Sequence, residues 1–204
     1  EDPGRQQNVF RKMLRFTSFL SFPAMFGLAL IAKEFIIITI TDKWISCVPI
    51  LQILCVWGAF MPVISLYSRL ILSNGKPNIF MWNSILLCVL QLIIMLLAYP
   101  YGIHVMLMLF VVLNIIWLGV WQYFIWKEIR LSLWNALKDT VPFAGIATVT
   151  MVATYYITIE INNIYLMLIA KIVLAIAIYS LIMWFSKVAI FKESIKYLTG
   201  RSKK

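Results

Sequence analysis

Of 204 residues, 63% are apolar and 13% charged, and the mean hydropathy of +0.92 is far above what a soluble domain needs to bury one core. This excludes a water-soluble globular protein. A net charge of +10 does not point to nucleic acid either, because the basic residues sit between apolar runs, where they answer to membrane topology. Cys47, Cys55 and Cys88 show neither C-x-x-C nor Cys/His spacing, so no zinc site, disulfide framework, metal or cofactor is expected, and small buried thiols are the plain reading.

The chain opens on Glu1 and a polar stretch without signal-peptide grammar, and reads as part of a longer protein. Residues 1–15 are expected to form a cytoplasmic arm, 16–186 a six-helix transmembrane bundle, and 187–204 a basic amphipathic cytoplasmic tail. A bilayer core of about 30 Å takes about 20 apolar residues at 1.5 Å each. Six runs qualify: Phe16 to Ile40, Ile45 to Leu72, Ile79 to Ala98, Ile103 to Trp126, Val141 to Ile159 and Ile164 to Phe185. Backbone groups in lipid must be satisfied within the segment, and the runs lack the short alternation of barrel strands, so an all-α integral membrane fold is expected. Pro23 and Pro142 each read as opening an outward-running span.

All eighteen Lys and Arg except Lys33, Lys43 and Lys171 fall on one side if the N-terminal arm is cytoplasmic. Both ends of the chain then lie in the cytoplasm. Trp44, Tyr99, Tyr101 and Tyr165 mark the outer interface, and Trp82, Trp126, Trp134 and Trp184 the inner one. Two inner segments, 127–139 and the tail, carry apolar residues on one helical face and are expected to lie along the lipid surface.

Charge at bilayer depth is costly and marks candidates for function. Lys33 lies about 26 Å beyond Phe16 along a straight helix, toward the outer leaflet, with Glu34 beside it. Adjacent helical residues point about 100° apart, so these two do not form a pair of their own. Lys33 either snorkels outward, with Glu34 near the headgroups, or one or both line a polar cavity between helices. Lys171 and Arg69 are the other charged candidates, and Asn83, Gln91, Asn114, Gln52 and Gln122 each either bond between helices or line a polar pathway. Pro62, deep in the second span one turn after Gly58, is the candidate hinge, since a proline there removes an i to i−4 bond.

The stretch "TDKWISCVPILQILCVWGAFMPVISLYSRLILSNGKPNIFMWNSI" (41–85) resembles two consecutive spans in the second half of bacterial polysaccharide and O-antigen flippases, within the multidrug/oligosaccharidyl-lipid/polysaccharide exporter superfamily. The matching features are Trp44, Pro49 followed by Leu51 to Leu54, Pro62, and the Ser73 to Lys76 turn. Upstream, Pro23 with "GLALIAKEFI" fits the preceding span, and beyond Leu86 the likeness is one of topology. The resemblance implies about fourteen spans in two lobes, of which this chain is most of the second. It implies alternating-access transport of a lipid-linked oligosaccharide across the bacterial inner membrane for O-antigen, capsule or exopolysaccharide synthesis. The implied partners are that substrate, membrane lipids, the missing first lobe, and polysaccharide polymerase and ligase machinery. A drug or metabolite antiporter of the same superfamily and a non-transporting scaffold stand as alternatives. An enzyme is not expected, because Asp42, His104, Asp139 and Glu160 are scattered rather than clustered.

Overall fold

The computed structural model describes residues 3–161 and 163–185. It is built of helices: α1 (Pro3–Leu30), α2 (Ala32–Thr39), α3 (Val48–Ser73), α4 (Pro77–Ala98), α5 (Ile103–Ile129), α6 (Leu133–Thr158) and α7 (Ile164–Phe185), with short 3-10 turns at Asp42–Cys47 and Tyr99–Tyr101. Six of these helices are long and apolar enough to cross a membrane. The described chain is thus an all-α, multi-spanning membrane bundle.

Local chemistry sets the helix ends. Pro49 and Pro77 sit in the first turns of α3 and α4, where a missing N–H breaks no bond. Gly75 adopts φ +72 after α3, and the Gly75 and Lys76 N–H groups bond back to Leu72 and Ile71, which closes the Ser73 to Lys76 turn. Arg130 stops α5 in the left-handed region at φ 56, and Ser132, extended, precedes α6.

That stop corrects the surface helix expected over 127–139. Its apolar side does not lie on lipid as a unit. Ile129 and Leu131 plunge into the core at 1% and 0% exposure, and Leu133 starts a helix continuous with the fifth span, so Pro142 lies inside α6 rather than at its opening. The inward face of this first stretch is Ala136 and Asp139, while Leu133, Trp134 and Leu137 point outward. The 28-residue α1 similarly runs straight from Pro3 past Pro23, making residues 3–15 part of the first helix. The amphipathic tail expected at 187–204 lies outside the described residues.

In space α1 is the centre, packed against α3 on one side and α6 on the other; α5 and then α4 extend beyond α3, and α7 beyond α6. One apolar cluster joins Phe10 and Leu14 of α1 to Tyr67 and Ile71 of α3 and Trp121 and Ile125 of α5. A second joins Phe22 to Ala59, Phe143, Ala147, Tyr179 and Met183. Outside these clusters, large apolar side chains point away from the bundle, with Leu96 on α4 exposed to 76%. Such a surface is stable in lipid, where association of helices rests on close packing and polar bonds rather than on hiding oil from water. The eight Trp and Tyr assigned to the two interfaces are all exposed at helix ends, as an aromatic belt requires.

Small residues permit the close approach at the centre. A Cβ at Gly58 would stand 3.1 Å from Met25 Sδ of α1, and one at Gly27 3.6 Å from Met151 Cε of α6. Met25 is flexible and can yield to one methyl group, but not to a branched chain. Gly58→Ala is therefore expected to stay within about 1 kcal/mol of the parent, and Gly58→Leu to lose about 1–3 kcal/mol through overpacking, as read by thermal unfolding in detergent.

Candidate functional site

The candidate residues divide into those the fold pairs and those it leaves at the surface. On α2, Glu34 turns inward and Lys33 outward, the divergence that adjacent helical positions dictate. Glu34 meets Lys171 of α7: Nζ donates to Oε1 at 2.6 Å, with the two side chains 4% and 6% exposed. Lys171 also reaches the Leu30 carbonyl at 3.4 Å and lies 6.0 Å from the Tyr155 ring centroid. It begins about 10 Å along α7 and is enclosed by neighbouring helices. The second Glu34 oxygen, Oε2, is buried without a partner.

A groove of about 480 Å³ runs between α1 and α7, walled by Leu20, Pro23, Gly27, Ile172 and Ile176, with Lys171 as the charged residue of its lining. Another, of about 500 Å³, lies between α1, α3 and α6 beside Phe26, Val56, Tyr155 and Tyr156. Leu30 and Met151 wall both, so the two grooves converge beside the ion pair.

Gln91 of α4 donates to Asn114 of α5 at 3.2 Å, and Asn114 donates to the Phe110 carbonyl. This is a bond between helices. Asn83 is buried at 5% exposure on the otherwise lipid-facing α4. Arg69 and Pro62 are exposed, and α3 stays helical through Pro62. Beside that proline the Ser21 hydroxyl donates to the Ala59 carbonyl at 2.7 Å, tying α1 to the turn where the helix loses a bond. Gln52 and Gln122 both bond between segments: Gln52 donates to the Ala29 carbonyl at 3.2 Å, while Gln122 accepts from Tyr67 and donates to Leu131, each at 2.8 Å.

One constellation escaped the sequence reading. Asp139, read there as a scattered acid, is 3% exposed and accepts from Arg11 Nε at 2.6 Å, Arg11 Nη2 at 3.1 Å and Arg15 Nε at 2.6 Å. The spacing of Arg11 and Arg15, one helical turn apart, was the available signal. Nothing local pointed to an acid more than 120 residues away. Together with Gln6 bonded to Asn74, Gln7 bonded to the Arg130 carbonyl and Lys76 paired with Glu128, this cluster knits the end of the bundle that holds the 74–76 and 130–132 turns.

An apolar six-helix bundle with ion pairs sealed between its helices defines a multi-pass membrane protein. Residues 1–49 match the family model described as polysaccharide biosynthesis protein. The chain is 35% identical over 79 residues to an uncharacterized membrane protein in the cps region of Klebsiella pneumoniae, a match covering 39% of this chain and 16% of that one. It is 29% identical over 79 residues to the lipopolysaccharide biosynthesis protein WzxC of Escherichia coli, and 29% over 76 residues to the teichuronic acid biosynthesis protein TuaB of Bacillus subtilis, again covering 16% of each relative. The matched stretches are thus under a fifth of the relatives' length. No solved structure gives a significant match.

Removing one member of a buried pair strands the other. Lys171→Met is expected to lose about 3–5 kcal/mol of stability, and adding Glu34→Leu to recover most of it, because no lone charge then remains in the bundle. Unfolding of the two single variants and the double variant in detergent measures this coupling.

Proposed function

We propose that the chain forms part of a flippase that moves lipid-linked oligosaccharides from the cytoplasmic to the outer leaflet of a bacterial inner membrane, supplying surface polysaccharide synthesis. The observation that carries this reading is the joint one of a six-span bundle and its likeness, at residues 1–49, to polysaccharide biosynthesis membrane proteins. A sugar pyrophosphate cannot enter hydrocarbon without replacement for its water, so its path needs cations and hydrogen-bonding groups. Lys33 is exposed beside the buried pair, and its free charge supports a role in meeting such a headgroup at the outer end of the passage.

Transport rather than catalysis fits how the buried acids are used. Glu34 and Asp139 are each bound to cations of other helices, which makes them struts between helices rather than an acid/base couple. The remaining part of the passage, a first lobe, would come from sequence beyond this chain, and polymerase and ligase enzymes would take up the product.

Two measurements test the reading. In the intact protein, Lys33→Met at matched protein level is expected to lower surface polysaccharide several-fold and raise lipid-linked precursor; unchanged export removes Lys33 from the path. With the three native cysteines replaced by alanine, a Ser73→Cys variant is expected to react with a membrane-impermeant maleimide only after permeabilisation, since the turn faces the cytoplasm in this orientation; labelling of intact cells reverses the topology.

A further inference from the structure

The first span contains a discontinuity that neither proline nor glycine explains. α1 ends at Leu30 and α2 begins at Ala32, with Ile31 between them at φ −93, ψ 6, in the sparsely populated bridge region. The run from Leu28 to Phe35 contains no proline or glycine. The ladder bends without being lost: the Ile31 N–H still bonds Gly27 at 3.1 Å, and the Phe35 N–H bonds Ile31 at 2.8 Å.

What marks the bend is hydrogen bonding from both sides. Gln52 of α3 donates to the carbonyl of Ala29 at 3.2 Å, and Lys171 of α7 to that of Leu30 at 3.4 Å, the two carbonyls immediately before the interruption. Extra donors at helix carbonyls favour their tilting outward, which bends a helix. Lys171 then reaches Glu34, one turn past the bend. One ammonium therefore holds a residue on each side of the discontinuity.

The two sides differ in how firmly they are held. α1 is anchored along its length by Arg11 and Arg15 on Asp139, by Ser21 on Ala59, and by the Tyr179 hydroxyl on the Phe19 carbonyl at 2.9 Å. α2 is eight residues long and buries only Ala32, Glu34 and Ile36. Its ionic tie is incomplete, since Glu34 Oε2 lacks a partner. The hold of α7 on α2 therefore rests on one short ionic bond, which loss of charge on either partner releases.

We propose that the Leu30–Ile31 junction is a hinge and the Lys171–Glu34 pair its latch, so that α2 swings while α1 keeps its place in the bundle. The swing alters the end of the α1–α7 groove that Leu30, Ile31 and Lys171 form. The hinge stands whatever molecule the protein carries. It also lies in a different helix from Pro62, where α3 continues unbroken.

Spin labels report the motion directly. With the three native cysteines replaced by alanine, one label at Val112→Cys on α5 is paired either with Phe35→Cys on α2 or with Leu20→Cys on α1, all exposed positions, in lipid nanodiscs. In the Glu34→Leu/Lys171→Met protein the α2–α5 distance distribution is expected to broaden and shift by more than about 2 Å, while the α1–α5 distribution stays as in the parent. Glu34→Gln, which keeps the side-chain shape, is expected to do the same and serves if the double variant does not fold. An unchanged α2–α5 distribution, or an α1–α5 change of equal size, overturns the hinge.

Discussion

The low dielectric of the bilayer is the constraint from which the rest of this structure follows. Water is absent from the interior, so each backbone group and each charge that enters must find its partner inside the protein. Backbone satisfaction makes the six long helices. Charge satisfaction then decides which helices hold together, because lipid removes most of the hydrophobic reason for them to associate. Asp139 draws α6 onto α1 through two arginines, and Glu34 draws α2 onto α7 through one lysine.

These two ion pairs are unlike in their surroundings. The arginines on Asp139 are 28% and 41% exposed, so that cluster keeps one side open at the bundle surface and is reinforced by nearby side-chain bonds to the turns. Lys171 and Glu34 are enclosed almost entirely and share one short bond. The bundle thus has a knitted end and, at the other, a single ionic tie beside a bent helix. The two ends thus differ in how many polar ties hold them.

Polar side chains predicted from composition to lie in the membrane have mostly become links between helices. Gln91 with Asn114 and Gln122 with Tyr67 each span two helices, and Gln52 crosses to the bent part of the first span. Lys33 and Arg69 remain at the surface. Surface and interior here are those of one bundle, and a residue outward from it faces lipid or whatever further protein surrounds it.

Membrane insertion, helical class, span number and aromatic borders were legible in the sequence, because they depend on local sums: length of apolar run, hydropathy, and where lysine, arginine and tryptophan interrupt it. That Lys33 and Glu34 diverge was legible too, being a property of helix pitch, but which of the two turns inward was not. Partnership was not. Lys171 finds Glu34 at a separation of 137 residues and Asp139 finds Arg11 at 128, and no periodicity within one helix encodes which neighbour it will meet. The surface helix expected at 127–139 failed for the same reason: its apolar pattern is real, but burial of Leu131 and Asp139 against other helices outweighs it. Where the first span bends was likewise not legible in the residues that bend, since what distinguishes that point is the pair of side chains from α3 and α7 that bond its carbonyls.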